Sequence, residues 1–211
     1  MMDMEYNRTS PFISNCLHYS SEFHPYVGEF SYFCIMVSCL ATEDMVFRVA
    51  VDEDFPAIWE IIVQAKARMA SEGRRQWDDS YPLPADIRGD IRHGEGYVLC
   101  LADAVVAYGA VSYRGEEAYA ALRGEWQMGE PYVVVHRLAV AESAVRRGVA
   151  TRFIGEACMQ AVRRGVRSMR VDTKYDNAAM LRIFGRMGFV FRGKVYYRET
   201  EERLAFEKQL C

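Results

Sequence analysis

The chain has 211 residues, 51% hydrophobic and 26% charged, with a formal net charge of −3. This length and composition predict one soluble globular domain with an appendage, or at most two small domains. The small net charge argues against a nucleic-acid-binding surface. The six cysteines and four histidines show no metal-ligand spacing, so we expect no metal and a reducing, cytoplasmic compartment.

The chain divides by pattern near residue 45. Residues 1–44 show no clear hydrophobic period, whereas a strand-like sequence begins directly after Met45. We predict that residues 1–44 are an N-terminal extension outside the main domain, which spans residues 45–211. The apolar run at residues 32–41 is too short to cross a bilayer and follows no basic segment, so we expect no membrane association.

The first half of the main domain predicts a strand, two helices and a hairpin. A strand at residues 47–51 precedes a helix at residues 52–69 that Asp52 caps. Pro84 opens a short helix at residues 84–92, and two strands at residues 97–102 and 105–113 form a hairpin. Apolar residues at three- and four-residue spacing predict one buried face of the first helix: Ile58, Ile61, Ile62, Ala65 and Met69.

The second half alternates between strands and helices. A polar insertion at residues 114–130 precedes a β-branched strand at residues 132–140. The elements that follow are a helix at 148–164, a strand at 168–172, a helix at 177–187 and strands at 189–192 and 204–210. This order predicts an α/β fold, with a central mixed sheet of about seven strands flanked by helices on both faces.

The junction before the helix at residues 148–164 predicts an anion site. Gly148 and Ala150 leave room for phosphate oxygens beside the free N–H groups of the helix start, and the helix dipole adds positive potential. Arg146, Arg147 and Arg152 can supply counter-charge. The alternative is a simple strand–turn–helix joint whose arginines face water.

A second motif follows one strand later. Asn177 starts a helix, Phe184 lies seven residues on, and Gly188 and Phe189 close the motif. Together with the segment VRRGVA at residues 145–150, it resembles the two signatures of the GNAT superfamily, Gln/Arg-x-x-Gly-x-Gly/Ala and Asn with a later aromatic residue and Gly-Phe. The resemblance covers about residues 45–211 and implies the GNAT acyl-CoA N-acyltransferase fold.

The resemblance also implies an activity and a co-substrate. It implies transfer of an acetyl group from acetyl-CoA to a primary amine of a small molecule or peptide by direct attack, without a metal. The strand at residues 138–140 would hold the pantetheine arm through its backbone. The amides of residues 147–151 would hold the pyrophosphate, and Asn177 would contact the cofactor near its pantetheine end. The implied cofactor-binding residues are Leu138, Ala139, Val140, Arg146, Arg147, Gly148, Val149, Ala150, Thr151, Asn177 and Phe184.

Two positions depart from the family pattern. Val145 stands where the first signature has Gln or Arg, which removes a polar side chain and leaves the backbone cradle intact. Phe184 stands where many members have a tyrosine as general acid, and phenylalanine cannot donate a proton. Either the thiolate leaves unaided, or another group serves. Tyr175 and Tyr196 are catalytic candidates, and Tyr197 is a third.

His136 is the candidate general base. It lies four residues before Val140, and strict alternation puts His136, Leu138 and Val140 on one face of the strand. Arylalkylamine-type acetyltransferases look similar here, with a histidine at the matching place. A histidine titrates near neutral pH, which suits base catalysis. The alternative is a hydrogen-bonded strand residue without a catalytic role.

The loop between the first two helices holds the candidate acceptor site. Trp77, Asp78 and Tyr81 combine aromatic rings with a carboxylate, a set that binds cationic amines. The alternative is an aromatic anchor with a polar turn. The acids of the insertion, among them Glu116, could equally rim the site or face water.

Phe184 also keeps a second function open, namely a non-catalytic acyl-CoA-binding GNAT-fold sensor or regulatory module. For either function we expect acetyl-CoA as ligand and a monomer or homodimer.

Overall fold

The computed structural model describes residues 45–74, 76–198 and 200–211. The extension predicted for residues 1–44 lies outside the described residues. The helices are α1 (Phe55–Ser71), α2 (Pro84–Arg92), α3 (Glu117–Ala120), α4 (Val149–Arg163) and α5 (Ala178–Arg186). The strands are β1 (Met45–Val49), β2 (Gly96–Leu101), β3 (Ala104–Ser112), β4 (Arg123–Gly124), β5 (Val133–Val140), β6 (Ser168–Thr173), β7 (Val190–Tyr197) and β8 (Glu201–Gln209).

The strands form one mixed sheet in the order β1-β2-β3-β5-β6-β8-β7-β4. The pair β5 and β6 is parallel, and the other neighbouring pairs are antiparallel. The sheet has eight described strands because the predicted insertion contributes the two-residue β4. The α/β class and the mixed sheet predicted from the sequence are confirmed.

Helices cover both faces of this sheet. Tyr97 and Leu99 of β2 pack in one core cluster with residues of α4. Val98 and Cys100 of the same strand pack in a second cluster with residues of α1 and α2. Since successive strand residues point to opposite faces, the two helix layers lie on opposite sides of the sheet.

The long helices follow their sequence pattern closely. The five apolar residues predicted to form the buried face of α1 are all buried. Pro84 is the first residue of α2, where a missing N–H costs nothing. Gly165 follows α4 in the left-handed region at φ +77°, as expected of a glycine that ends a helix. β7 and β8 are longer than predicted. Polar contacts between the strands, such as the diagonal ion pair of Lys194 with Glu202, extend the hairpin where the hydrophobic alternation fails.

The polar insertion is an ordered part of the domain. Tyr119 of α3 is buried in a third core cluster with Tyr132 and Val195. Beyond it, the N–H of Gln127 donates to the carboxylate of Glu207 on β8 at 2.9 Å. Glu207 is itself buried and also accepts from the Arg170, Arg192 and Ser168 side chains. Both ends of the insertion are therefore anchored to the sheet.

Candidate active site

A cavity opens where β5 and β6 separate. Over the described residues, the two strands pair only at Val133 with Met169 and at Val134 with Arg170. Beyond this point they diverge, and a cavity of about 260 Å³ lies between and beside them. Its lining comes from β5, β6, α5, the α1–α2 loop, the insertion and the β7–β8 hairpin. Backbone groups of β5 that would face β6 are thus available to a ligand.

A β-bulge interrupts β5 at the cavity. Tyr108 of β3 pairs with Ala139, and Ala110 pairs with His136, so two steps on β3 match three on β5. Arg137, within the extra length, has φ +52°. Such a bulge changes which side chains face each side of a strand.

The bulge overturns one sequence-based expectation. Val135, before it, packs in the same cluster as Leu138 and Val140, after it. Because Val135 and His136 are neighbours before the bulge, His136 points to the opposite face from Leu138 and Val140. The prediction that strict alternation places His136, Leu138 and Val140 on one face was wrong, because the inserted residue reverses the parity.

His136 contacts a carboxylate from the insertion. Its Nε2 atom lies 3.2 Å from Oε2 of Glu116, with 17% and 22% of the two side chains exposed. Both residues line the cavity. Burial alone would raise the pKa of Glu116, but the hydrogen bond and charge of His136 bring it below its usual range. The carboxylate is therefore ionised at neutral pH.

Arg137 of the bulge is held in a buried polar network. Its Nε and Nη2 atoms donate to the two oxygens of Asp90 at 2.8 and 2.5 Å, and Nη1 donates to the Tyr81 hydroxyl at 2.9 Å. The Tyr108 hydroxyl donates to the same carboxylate. Burial and the charge of Asp90 hold the pKa of Tyr108 well above its usual range, so it stays a donor. This network fixes the bulge against α2.

Replacing Asp90 with asparagine should destabilise the domain strongly. The change leaves the buried guanidinium of Arg137 without its counter-ion, which typically costs about 3–5 kcal/mol. Urea denaturation would measure the fall in the free energy of unfolding. Asp103, exposed at the β2–β3 turn, offers the matched control, and Asp103→Asn should stay within about 0.5 kcal/mol of wild type. Equal effects of the two changes would contradict the role of the network.

A second carboxylate organises the opposite wall. Asp172 of β6 accepts from the hydroxyls of Tyr119 at 2.8 Å and Tyr197 at 3.0 Å. Its other oxygen lies 3.6 Å from Arg203. Burial and Asp172 raise the pKa of Tyr197 far above its usual range. Tyr197 lines the cavity as a protonated group whose hydrogen is already engaged.

The tyrosines chosen from the sequence lie elsewhere. Tyr175 is 74% exposed, and Tyr196 donates its hydroxyl to Glu202 at 2.9 Å. Neither belongs to the described lining of the cavity, in which the tyrosines are Tyr81 and Tyr197. Phe184 does line the cavity and is 2% exposed.

The predicted acceptor loop borders the same cavity. Trp77, Asp78 and Tyr81 all line it, and Trp77 is only 7% exposed. Backbone hydrogen bonds between Asp78 and Tyr81 close the turn. The side chain of Gln76, which sequence reasoning left without a role, accepts from the Thr173 hydroxyl at 3.3 Å and ties the loop to β6.

The predicted phosphate site has the expected backbone. Gly148 precedes α4 at φ +78°, and a Cβ added there would meet no heavy atom within 4 Å. The N–H of Arg152 makes the first helical hydrogen bond, to the Gly148 carbonyl at 2.9 Å. The N–H groups of Val149, Ala150 and Thr151 precede that bond and lack an acceptor within the helix. An anion can therefore approach several N–H groups at once.

Three arginines lie in or next to the segment that provides these N–H groups. Arg146 and Arg147 are exposed. Arg152 is paired with Glu156 at 2.7 Å. Asn177, whose side chain accepts from the N–H of Met180 at 3.3 Å, caps α5 and lines the cavity. The remaining cofactor residues predicted from the sequence lie on β5, where Leu138 lines the cavity and Ala139 and Val140 pair with β3.

Two further findings concern metal sites and membrane-spanning helices. Across the ranges that the structure describes, no group of three or more His, Cys, Asp or Glu side chains is arranged to hold a metal ion. Within the same ranges, no helix has the length and apolar character needed to cross a membrane.

Comparison with known proteins decides the family. The model of the acetyltransferase (GNAT) family matches residues 48–189. The chain belongs to the GNAT acetyltransferase family. The resemblance and the acyltransferase class expected from the sequence are thereby confirmed. In this GNAT chain the two signatures occur in the family's order, with the glycine cradle at the start of α4 first and Asn177 at the start of α5 second. A search of curated proteins found no match.

Solved structures agree with this assignment. A GNAT-family acetyltransferase from Streptococcus agalactiae is 31% identical, with a TM-score of 0.69, over 78% of this chain and 95% of that chain. An acetyltransferase from Salmonella typhimurium, solved with its cofactor acetyl-CoA, shares 18% identity and a TM-score of 0.55 over 79% and 94%. The ribosomal-protein-S18-alanine N-acetyltransferase from Escherichia coli shares 15% and 0.55 over 79% and 94%. The last two show the fold alone.

Proposed function

We propose that this acetyltransferase uses acetyl-CoA as donor and acetylates a primary amine of a small molecule or peptide by direct attack. The observation that carries the proposal is the opening between β5 and β6, in a chain whose helix α4 begins with free N–H groups after Gly148. A pantetheine arm needs an unpaired strand edge, and a pyrophosphate needs a cluster of N–H groups. This chain offers both.

In this proposal acetyl-CoA supplies an activated thioester, and the chain holds it through its backbone. The strand from Leu138 to Val140 bonds the pantetheine arm, and the amides from residues 147 to 151 bind the pyrophosphate. Arg146 adds counter-charge, and Asn177 and Phe184 border the pantetheine end. Val145 supplies no polar side chain, but the backbone N–H groups do not need one to bind the pyrophosphate.

The acceptor amine enters from the side of Trp77, Asp78 and Tyr81. His136 takes a proton from the amine as the new C–N bond forms and the C–S bond breaks. A thiolate is a fair leaving group, so the proposal needs no tyrosine in place of Phe184. It gives Tyr175 and Tyr196 no catalytic role, because neither borders the cavity.

Two measurements test the proposal together. We expect acetyl-CoA to bind in a calorimeter with a micromolar Kd while NAD does not, and we expect an amine panel to release free thiol from acetyl-CoA. Binding without release for any amine would favour the sensor module instead. Absence of binding would overturn both functions. The monomer-or-homodimer state and the cytoplasmic location stay predictions.

A further inference from the structure

Glu116 is placed by a rigid support. Gly115, at φ +82°, turns the chain, and a Cβ there would lie 3.1 Å from the Tyr132 hydroxyl. The N–H of Glu116 donates to that hydroxyl at 3.2 Å, and one carboxylate oxygen accepts from the N–H of Ala118 at 3.3 Å. The second carboxylate oxygen faces His136. Both the backbone and the side chain of Glu116 are thus held.

The insertion behind Glu116 is packed as firmly as a core element. Tyr119 is buried, and its hydroxyl donates to Asp172 across the sheet. The indole N–H of Trp126 donates to the Tyr119 carbonyl at 3.0 Å. Gln127 and Glu207 anchor the far end. A solvated loop would need none of these contacts. The insertion is therefore a rigid support that holds Glu116 at the cavity.

Two other charged groups that line the cavity are already engaged. Arg137, the neighbour of His136 on β5, is bound to Asp90 on the side of α2. Asp172 accepts from two tyrosines and faces Arg203. Glu116 is the carboxylate within hydrogen-bond distance of the His136 imidazole among the described residues.

We infer that Glu116 is a positioning residue for His136, an inference that rests on the proposed function. Nε2–H of the imidazole donates to Glu116, which leaves Nδ1 as the atom that accepts the amine proton. When the proton arrives, the carboxylate stabilises the imidazolium. The C–N bond forms, the C–S bond breaks and CoA leaves as the thiolate, so Glu116 itself neither gains nor loses a proton.

Three variants test this role. Glu116→Gln keeps an acceptor but removes the charge, and we expect kcat to fall about tenfold to hundredfold. The KM for acetyl-CoA should stay near the wild-type value, because the proposed contacts to the cofactor lie on other residues. Glu116→Asp should restore part of kcat. The control is Glu117→Gln, an exposed neighbour outside the cavity lining, which should match wild type in both measurements.

A double-mutant cycle separates positioning from stability. If Glu116 acts through His136, adding Glu116→Gln to His136→Ala should cause no further loss of kcat. A wild-type kcat in Glu116→Gln would overturn the inference, as would equal losses in both backgrounds. Failure of the proposed function has a different signature, because the wild-type protein would then release no thiol with any amine at any pH.

Discussion

Replacing His136 with alanine should lower kcat by about a hundredfold to ten-thousandfold, the usual contribution of a general base. The imidazole lines the cavity at the β5 bulge, and the variant lacks the group to which we assign the proton transfer. Steady-state thiol release across a pH series measures the effect. Acetyl-CoA affinity should change little, because the proposed contacts to the cofactor lie on other residues.

His93 provides the matched control for this change. It is exposed and follows α2, so His93→Ala should keep the wild-type rate and pH profile. A wild-type rate and profile in His136→Ala would show that His136 is a structural strand residue. The proposal of acetyl transfer would survive that outcome, but the base would have to be another group.

Replacing Gly148 with valine should weaken acetyl-CoA binding about a hundredfold or more. The residue lies at φ +78°, a conformation that costs a β-branched residue about 1–2 kcal/mol. The added side chain would also occupy the open space in front of the helix, where a phosphate must reach the N–H groups. Calorimetric titration with acetyl-CoA measures the loss.

A control at Gly165, at the other end of α4, distinguishes the effect of backbone strain from the loss of contact with the ligand. Its φ is +77°, and its Cβ position is equally open. Gly165→Val should therefore carry a similar loss of unfolding free energy while acetyl-CoA affinity stays at the wild-type value. If Gly148→Val and Gly165→Val bound acetyl-CoA with equal affinity, the pyrophosphate would have to bind at another part of the chain.

The elements predicted best from the sequence are those whose signal is local. The buried face of α1 follows from the spacing of its own apolar residues, and α2 begins at Pro84 as its sequence indicates. The glycine before α4 and the Asn177 cap of α5 are likewise local. For this reason the family, the sheet and the glycine cradle were all within reach of sequence reasoning.

Other features depend on residues far apart in the sequence, so no short segment predicts them. The bulge at Arg137 depends on a buried carboxylate 47 residues earlier, and strict alternation could not anticipate it. Tyr175, Tyr196 and Tyr197 looked equivalent in the sequence, but of these three only Tyr197 borders the cavity. Glu116 was one of several acids in the insertion that could equally rim the site or face water, and its neighbours in the sequence did not single it out.

The sequence by itself determined the family, the α/β fold and the backbone that we propose for the cofactor, because each rests on contiguous residues whose spacing sets helix caps and strand ends. Only the tertiary structure decided which polar side chains contact one another in the cavity wall. There, His136 meets Glu116 and Tyr197 meets Asp172 across separate elements. Charges and hydroxyls of this kind acquire their chemistry from partners that folding brings within hydrogen-bond distance.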